Sequence, residues 1–538
     1  MRRLALILLL LGASPQDRRP SIVLIMTDDQ GYGDLGFHGN KDIRTPHLDA
    51  LGASGCRIDP FCVSPVCSPT RSSLLTGRYT YRTGIVDTFL GRSMMHADET
   101  TIAEILGQAG YRTGIFGKWH LGDNYPLRPQ DQGFQDCLTI RGGGLGQSSD
   151  PPGGDHYTDA TLYRNGAAFK SKGYCSDVFT DAALQFIEAD KDKPFFAYVA
   201  YNAPHTPLET PAGYPLDPKL PETTAKVYAM VSNIDDNVGR LLKKLDDLKI
   251  ADNTIVIFLT DNGPQQARYN AGLRGLKGTT YEGGIRVPFF FRWPAGLKVG
   301  RKVEAPFAHI DVVPTLLEAT GVATPAGPKM DGISFLPWLK GDPAAPERTL
   351  FFQWHRGDVP EKFHACTARG TRWKAVWTMP TKPPELFDLE KGEQQDVSAE
   401  HPETVARLSK EYEAWYDEMK ATRGFEPPRI ILDPAHENPI VLTRQNCRVP
   451  TPKDAGHWLV DVPKESRFHV KVWFKAPGMK STLTYRCGES ATEIAVEPDA
   501  TTASLNNVPH PPGKARISAT LHAKTEYGVD YIELVPGR

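Results

Sequence analysis

The sequence of 538 residues lacks any long apolar run beyond its first segment. A helix that crosses a bilayer needs ~20 apolar residues, so we expect no transmembrane helix. Charge of one sign is also not in excess, because 62 basic residues face 64 acidic ones. This balance gives no general attraction to nucleic acid or to an anionic membrane. Internal repeats and low-complexity tracts are absent too, and the 40% of hydrophobic residues indicates a globular protein.

Closely spaced cysteine pairs of the kind that form structural zinc sites are missing as well. The eight cysteines are Cys56, Cys62, Cys67, Cys137, Cys175, Cys366, Cys447 and Cys487. A structural zinc site combines two such pairs or adds paired histidines. We therefore expect no metal site made of thiolates, and the sequence does not define any disulfide pairing.

The first fourteen residues have the pattern of a secretory signal peptide. Arg2 and Arg3 precede an apolar run from Leu4 to Leu11, and small residues follow as far as Ser14. This order of basic, apolar and small residues is typical of export signals. We predict an exported protein, periplasmic or secreted, with an uncleaved anchor as the alternative.

Polar clusters follow four predicted strands. The strands are Ile22–Met26, Tyr111–Phe116, Pro194–Val199 and Thr254–Leu259, and the clusters after them contain Asp28 and Asp29, Lys118 and His120, His205, and Asp261 and Asn262. Continuous apolar runs of this length indicate strands buried on both faces. Sites in open α/β sheets form beyond the carboxyl ends of the strands, so we expect the four clusters to converge.

Helical patterns alternate with these strands, which predicts an α/β fold. The predicted helices are Thr100–Ala109, Val178–Ala189, Ala225–Leu248 and Val312–Thr320. After Pro346 the pattern changes to short strands around 349–352, 373–377 and 385–389, followed by a helix with one apolar face from Val405 to Met419. A proline-rich segment at 424–439 predicts a linker, and β alternation beyond it predicts a small β-sandwich.

The most informative segment runs from Cys67 to Arg78 and reads Cys-Ser-Pro-Thr-Arg-Ser-Ser-Leu-Leu-Thr-Gly-Arg. Pro69 suits the first turn of a helix, and the free N–H groups of a helix N-terminus bind anions. The segment resembles the signature of the type I sulfatases, which belong to the alkaline phosphatase superfamily. The resemblance implies that a maturation enzyme oxidises Cys67 to formylglycine, whose hydrated aldehyde attacks the sulfur of a sulfate ester.

Four of the clustered side chains are candidate metal ligands. Asp28, Asp29, Asp261 and Asn262 offer hard oxygen donors, which suit calcium or magnesium better than zinc. The resemblance implies a divalent cation at these positions, usually Ca²⁺ with Mg²⁺ possible, that also touches the formylglycine made from Cys67. Such a cation lowers the pKa of the hydrated aldehyde and withdraws charge from the sulfuryl group.

The resemblance also implies the catalytic set. It comprises Cys67, Arg71, Lys118, His120, His205 and Lys277, of which Lys118, His205 and Lys277 also contact the substrate. Lys118 and His120 lie in Gly-Lys-Trp-His-Leu-Gly, and Lys277 opens Lys-Gly-Thr-Thr-Tyr-Glu-Gly-Gly-Ile-Arg-Val-Pro before a predicted strand from Val287 to Phe291. Arg71 and the two lysines would bind the anionic oxygens of the ester.

The implied reaction divides the proton transfers among four side chains. Asp261 is the candidate acceptor for the proton of the attacking hydroxyl. His205 and Lys277 assist the departure of the alcohol oxygen. His120 then removes a proton from the remaining hydroxyl of the sulfated intermediate, which expels sulfate and regenerates the aldehyde.

The resemblance covers residues 20 to about 420 and implies the domain organisation. We expect a signal peptide at 1–14, a catalytic domain at 20–345, an antiparallel subdomain at 346–423, a linker at 424–439 and the β-sandwich at 440–538. The expected fold is a large mixed β-sheet sandwiched by helices, with the small α+β subdomain and the sandwich appended. The sandwich is either a carbohydrate-binding module or a structural or oligomerising domain.

Export and the extra sandwich favour a sulfated carbohydrate as substrate, although aryl sulfates fit the motifs equally. The glycine-rich stretch from Arg141 to Gln147 has no assigned role. One alternative is a phosphonate or phosphate ester hydrolase of the same superfamily, which shares Cys-x-Pro-x-Arg and the metal carboxylates. A second alternative is a noncatalytic protein that binds sulfated glycans. The presence of every catalytic position of the family pattern argues against this alternative.

Overall fold

The computed structural model describes residues 19–147, 155–342, 346–449 and 455–537. The signal peptide predicted at 1–14 lies outside these ranges. Within them, no helix is both long enough and apolar enough to cross a membrane. All eight cysteines fall in the described ranges, where each one is buried and none is assigned to a disulfide.

The helices include those predicted at 100–109, 178–189, 225–248, 312–320 and 405–419, each close to its predicted position, and the one predicted to begin at Cys67. The helices are α1 (Pro46–Ser54), α2 (Cys67–Thr76), α3 (Thr80–Thr83), α4 (Ile102–Gln108), α5 (Cys175–Ala189), α6 (Glu222–Asp247), α7 (Glu282–Ile285), α8 (Val312–Thr320), α9 (Leu336–Lys340) and α10 (Pro402–Arg423). A capping box between Thr101 and Glu104 fixes the start of α4, since it pairs N–H groups that a helix start leaves free.

A ten-stranded mixed sheet forms the centre of the molecule. The strands of this region are β1 (Ser21–Thr27), β2 (Cys56–Ile58), β3 (Phe61–Cys62), β4 (Arg112–Lys118), β5 (Asp136–Ile140), β6 (Thr161–Arg164), β7 (Ala167–Lys170), β8 (Phe195–Ala200), β9 (Thr254–Thr260), β10 (Arg286–Val287), β11 (Phe289–Arg292), β12 (Lys302–Val303) and β13 (Phe307–Ala308). The order in the large sheet is β12-β2-β11-β9-β1-β8-β4-β5-β6-β7, and β10-β3-β13 form a second, small sheet.

Helices cover both faces of the large sheet. One core packs α1, α5 and α6 against it, and the other packs α2, α4, α8 and α9 against the opposite face. Strands β1, β8 and β9 are apolar along their length and almost entirely buried, as strands between two helical layers must be. The predicted class, a mixed α/β sheet between helices, is confirmed.

The four predicted polar clusters meet at one edge of this sheet. Strands β9, β1, β8 and β4 run parallel, with Thr27 opposite Thr260 and with Met26 and Gly117 both opposite Ala200. Their carboxyl ends therefore stop at the same level. The residues that follow them come together although they are far apart in sequence.

The predicted strand from Val287 to Phe291 is wrong as a single element. Pro288 divides it into β10, which pairs with β3, and β11, which pairs with β9 and β2. Proline has no N–H group to donate to a ladder. The chain therefore changes sheets at this residue.

The region after Pro346 forms a four-stranded antiparallel sheet of β14 (Leu350–Gln353), β15 (Cys366–Arg369), β16 (Trp373–Trp377) and β17 (Glu385–Asp388). Helix α10 packs on this sheet through Leu408, Tyr412, Trp415 and Met419, which are buried as its apolar face predicted. Beyond it the strands are β18 (Ile430–Ile431), β19 (Ile440–Thr443), β20 (Trp458–Val462), β21 (Ser466–Trp473), β22 (Ser481–Cys487), β23 (Ser490–Val496), β24 (Thr502–His510), β25 (Gly513–His522), β26 (Glu526–Gly528) and β27 (Tyr531–Pro536).

These last strands form two sheets that share one apolar core. Strands β18-β20-β25-β22-β23 with β26 make one sheet, and β19-β27-β21-β24 make the other. Strand β18 lies inside the segment expected to be a linker and pairs with β20. The domain boundaries drawn from the sequence stay a prediction.

We predict that Lys374→Met destabilises the fold strongly. The Lys374 ammonium is fully buried between Glu282 at 2.9 Å and Glu393 at 2.8 Å. It joins β16 of the four-stranded antiparallel sheet to Glu282 of α7. Removing this ammonium leaves two buried carboxylates with one fewer cation. We expect the free energy of unfolding to fall by ~3–5 kcal/mol. Denaturant unfolding monitored by tryptophan fluorescence measures the change.

The control for this prediction is Lys362→Met. Lys362 pairs with Asp417 at the surface, where an ion pair contributes less than about 1 kcal/mol. Equal losses in the two variants would contradict a structural role for the buried lysine.

Candidate functional site

Cys67 is the first residue of α2, and the whole of that helix is buried. The Cys67 side chain is 2% exposed. Burial raises the pKa of its thiol, and the charges of Lys118 and Lys277 only partly oppose this effect. An unmodified Cys67 is thus a neutral thiol at the N-terminus of a helix.

Beneath Cys67 lies a fully buried network of two cations and two carboxylates. Arg71 donates from Nη2 to Oδ2 of Asp261 at 2.8 Å and lies 3.7 Å from Oδ2 of Asp28. It also donates from Nη1 to the carbonyl oxygen of Lys118 at 3.1 Å. The Lys118 ammonium itself pairs with Asp28. Burial and the neighbouring Asp28 raise the pKa of Asp261 to about 6.

A second group surrounds Asp29, which has a backbone φ of 63°. The Lys277 ammonium contacts its Oδ1 at 2.5 Å, and Asn262 donates from Nδ2 to the same oxygen at 2.8 Å. Nε2 of His205 lies 3.8 Å from Oδ2 of Asp29. Burial alone would raise the pKa of Asp29, but Lys277 holds it well below its usual value.

The donor set fits a hard divalent cation. Three buried oxygens have no hydrogen-bond partner among the described residues, namely Asp28 Oδ1, Asp29 Oδ2 and Asn262 Oδ1. An unpaired buried acceptor is costly, and a cation would satisfy all three. Side-chain ligand atoms of Asp28, Cys67 and Asp261 also lie within 4.8 Å of one another. Oxygen ligands of this kind bind calcium or magnesium.

The two histidines have opposite tautomers. His120 Nε2 lies 2.6 Å from the carbonyl oxygen of Thr88, so Nε2 carries the proton and the partnerless Nδ1 is an acceptor. His205 Nδ1 lies 2.6 Å from its neighbour's carbonyl oxygen at Thr206, which leaves Nε2 as its acceptor. Burial lowers the pKa of His120 well below its ordinary value and that of His205 to about 3, so both rings are neutral.

The glycine-rich stretch from Arg141 to Gln147 packs directly on these two rings. A Cβ atom at Gly143 would lie 2.8 Å from Cε1 of His120, and one at Gly144 would lie 3.2 Å from Nδ1 of His205. A side chain at Gly143 would displace the His120 ring. This stretch, to which the sequence alone assigned no role, therefore packs against both histidines.

A pocket of about 570 Å³ opens above these groups. Its lining includes Cys67, Thr88, Phe89, His120, Gln147, His205, Gln265, Lys277, Trp354, Arg356 and Gln445. Of the residues predicted from the sequence, Cys67, His120, His205 and Lys277 reach it. Asp28, Asp29, Arg71, Lys118, Asp261 and Asn262 lie beneath it, each at most 1% exposed. The substrate contact predicted for Lys118 stays a prediction.

Seven of the lining residues named above were not predicted from the sequence, and two of them, Thr88 and Phe89, lie in the loop between α3 and α4. Trp354 and Arg356 follow β14 of the four-stranded antiparallel sheet. Gln147 and Gln265 lie in loops, and Gln445 belongs to the turn after β19. No local pattern marks any of them. Only the position of Gln147 at the end of the glycine-rich stretch gave a signal.

Gln445 brings the C-terminal sheets into contact with the catalytic pocket. Its Nε2 donates to the carbonyl oxygen of Thr88 at 2.8 Å and to Oγ of Ser93 at 2.9 Å. The same nitrogen lies 3.3 Å from Nε2 of His120. Gln445 and His120 therefore share the Thr88 carbonyl, whose position fixes the tautomer of the histidine.

Comparison with known proteins agrees with this geometry. The family model described as Sulfatase matches residues 20–322, and the model described as N-sulphoglucosamine sulphohydrolase, C-terminal, matches residues 276–419. The chain is 34% identical over 389 residues to arylsulfatase A of Homo sapiens, covering 65% of this chain and 73% of that one. It is 32% identical over 383 residues to N-acetylgalactosamine-6-sulfatase of Canis lupus familiaris, covering 65% and 71%.

Solved structures show the same relationship. The crystal structure of Ps i-CgsB superposes with a TM-score of 0.69 at 30% identity, over 76% of this chain and 94% of that one. The phosphonate monoester hydrolase of Agrobacterium radiobacter, at 20% identity and a TM-score of 0.55, shares the fold. Fold and site together define a hydrolase of the alkaline phosphatase superfamily. The chain belongs to the sulfatase family, whose members are sulfuric ester hydrolases.

We predict that Asp261→Asn weakens cation binding by at least about tenfold, since even groups behind the ligands of a metal site contribute that much. The change also removes the carboxylate that pairs with Arg71. Calorimetric titration of the purified protein with calcium measures the affinity directly.

Asp311→Asn is the matched control for this measurement. Asp311 is equally buried and pairs with Arg348 at 2.9 Å, but it does not belong to the group of candidate cation ligands around Asp28 and Cys67. Its loss should lower stability and leave calcium affinity unchanged. An unchanged affinity in Asp261→Asn would place the cation elsewhere.

We predict that Gln445→Leu lowers kcat by about tenfold with a smaller change in KM, because the Thr88 carbonyl and the buried Ser93 hydroxyl each lose a donor. Asn446→Leu is the control. Asn446 follows Gln445 in the same turn and bonds to the distant Asn124, but it does not line the pocket. Steady-state kinetics of both variants separate the two effects. Equal losses in kcat would show that Gln445 contributes only to docking of the turn.

Proposed function

We propose that this sulfatase removes a sulfate group from a sulfated carbohydrate. The observation that carries the proposal is the pocket itself, in which Cys67, His120, His205 and Lys277 meet above the buried carboxylates. Three glutamine amides and an indole ring also line this pocket. Amides and aromatic rings suit the hydroxyl groups and apolar faces of a sugar.

The names of similar proteins support the choice of a carbohydrate. One relative is named N-acetylgalactosamine-6-sulfatase, and one similar structure is Ps i-CgsB in complex with k-i-k-neocarrahexaose, with a TM-score of 0.68 and 29% identity. Both names refer to saccharides. We extend this substrate class to the present chain.

The proposed site holds one divalent cation, calcium, on Asp28, Asp29, Asp261 and Asn262, next to a formylglycine derived from Cys67. When present, the cation neutralises charge on the sulfuryl oxygens, and the hydrated formylglycine supplies the attacking hydroxyl. Cys67 is buried in the folded chain, so we infer that the maturation enzyme acts before folding. The proposed location is outside the cytoplasm, periplasmic or secreted.

The chain's own residues would then bind and move protons as follows. Lys118, Lys277 and Arg71 would supply positive charge to the sulfate oxygens. Asp261 accepts a proton at its carboxylate from the attacking group. His205 and Lys277 would assist the leaving alcohol oxygen, with the proton coming from the Lys277 ammonium, because Nε2 of the neutral His205, 3.8 Å from Asp29, carries none. His120 accepts a proton at Nδ1, which is neutral and partnerless among the described residues and thus ready to act as a base.

The test is sulfate release from a panel of sulfated saccharides and an aryl sulfate, measured by ion chromatography. The enzyme is first checked by peptide mass for the aldehyde at residue 67. We expect release from at least one saccharide and loss of more than about 1000-fold in Cys67→Ala, because loss of a covalent nucleophile has effects of this order. Cys137→Ala, at a buried cysteine of β5, is the control and should retain activity.

Three outcomes would contradict the proposal. Faster hydrolysis of matched phosphate or phosphonate esters would favour the phosphoryl alternative. Tight binding of a sulfated glycan without sulfate release would favour a binding protein. Substantial activity in Cys67→Ala would show that this residue is not the source of the nucleophile.

A further inference from the structure

One wall of the catalytic pocket has no role in the sulfate chemistry. It is formed by Trp354 and Arg356, which follow β14, together with Phe89. Trp354 covers Gly278, where a Cβ atom would lie 2.8 Å from Cζ3 of the indole. Gly278 is the residue next to Lys277, so the indole lies beside the predicted sulfate-binding lysine.

Arg356 is held in a fixed orientation but remains open to solvent. Its Nη1 donates to both oxygens of Asp87, at 2.9 and 3.2 Å, and to Oγ1 of Thr88 at 3.4 Å. Its guanidinium carbon lies 4.5 Å from the ring centroid of Phe89 and 5.0 Å from that of Trp354. The side chain nevertheless is 56% exposed. Such stacking orders an arginine that would otherwise be mobile.

Asp87 fixes both members of this wall. It is fully buried and accepts from Nε1 of Trp354 at 3.0 Å as well as from Arg356. A buried carboxylate that bonds to both the indole and the guanidinium sets their relative positions. The wall is therefore formed before any ligand binds.

The charges around Asp87 leave a positive excess. Arg92 pairs with Asp87 and Asp358, and Arg448 pairs with Asp358. Together with Arg356, three arginines meet two carboxylates, which leaves one positive charge in this cluster. Within the described ranges, no Asp or Glu lines the pocket.

Arg356 also keeps donors for a ligand. All three of its hydrogen bonds to described residues come from Nη1, so Nε and Nη2 have no partner there. These two groups form one edge of the guanidinium, and such an edge binds two oxygens of a carboxylate or sulfate side by side.

We infer that Trp354 and Arg356 form a subsite for a second anionic group, a carboxylate or a further sulfate, carried by the saccharide whose sulfate ester is cleaved. The indole packs against a sugar ring while the guanidinium binds the oxyanion. The substrate class is thereby narrowed from sulfated to polyanionic saccharides. The inference rests on the proposed function, since it concerns the same pocket.

The test compares three saccharides that carry the cleaved sulfate at the same position. One has no other charge, one has a carboxylate on the adjoining residue, and one has a second sulfate there. With the mature full-length enzyme, we expect kcat/KM to be about 10- to 100-fold higher for at least one dianionic substrate, in line with a hydrogen bond to a charged group. The preferred dianion identifies the anion that the subsite binds.

Arg356→Gln should abolish this preference, so that the ratio of kcat/KM between dianionic and monoanionic substrates falls to about one. Arg356→Lys should restore part of it, because lysine keeps the charge but lacks the planar fork. Arg372→Gln is the matched control. Arg372 is 53% exposed, pairs with Asp388 at 2.9 Å and lies 4.9 Å from the Trp373 ring, but it is outside the pocket, so the ratio should not change.

Two results would overturn the inference. One is a wild-type enzyme that shows no preference for either dianion, and the other is an Arg356→Gln variant that loses activity equally on all three substrates. Failure of the proposed function is separate, because then the wild-type enzyme with its aldehyde confirmed releases no sulfate from any of the three or from the wider panel.

Discussion

The structure depends on how three cations, two of them fully buried and the third at the pocket surface, and three buried carboxylates compensate one another. Arg71, Lys118 and Lys277 face Asp28, Asp29 and Asp261 at the carboxyl edge of the sheet. Moving an ion out of water costs several kcal/mol unless partners are well placed. The parallel strands β9, β1, β8 and β4 supply that placement, because their ends are level and their interiors are apolar. The balance also leaves carboxylate and amide oxygens available to a divalent cation.

Close backbone approach around this charge cluster depends on glycine. Gly263 follows Asp261 and Asn262 at the end of β9, and a Cβ atom there would lie 1.9 Å from the carbonyl oxygen of Gly283. Gly143 has a comparable position against His120. The strand ends position the charged side chains, and the glycines allow the surrounding loops to pack closely over these side chains and exclude water. Exclusion of water strengthens the electrostatic interactions within the cluster.

The pocket above the cluster is assembled from three parts of the chain that are distant in sequence. The loops after the strands of the large sheet supply the acidic residues beneath the pocket. The segment after β14 of the four-stranded antiparallel sheet supplies Trp354 and Arg356, and the turn after β19 supplies Gln445. The C-terminal sandwich was expected from the sequence to be a carbohydrate-binding module or a structural or oligomerising domain, and these roles stay predictions. The turn that carries Gln445 contacts the Thr88 carbonyl that also bonds to His120. The accessory sheets thus take part in the geometry of the reaction site.

The sequence by itself determined the class of fold, the helix that begins at Cys67 and the acidic residues of the charge cluster, whereas the resemblance to the sulfatases identified Arg71, Lys118 and Lys277. These features are local, since apolar runs of strand length, a proline in a first helical turn and acidic residues at strand ends are all visible within short windows. The tertiary structure alone decided that the chain changes sheets at Pro288, that Gly143 packs against His120, and that Trp354, Arg356 and Gln445 face the same pocket. Those positions follow from packing between segments that are separated in sequence, from 23 residues for Gly143 and His120 to hundreds for the others, and no periodicity or spacing in the sequence records such contacts.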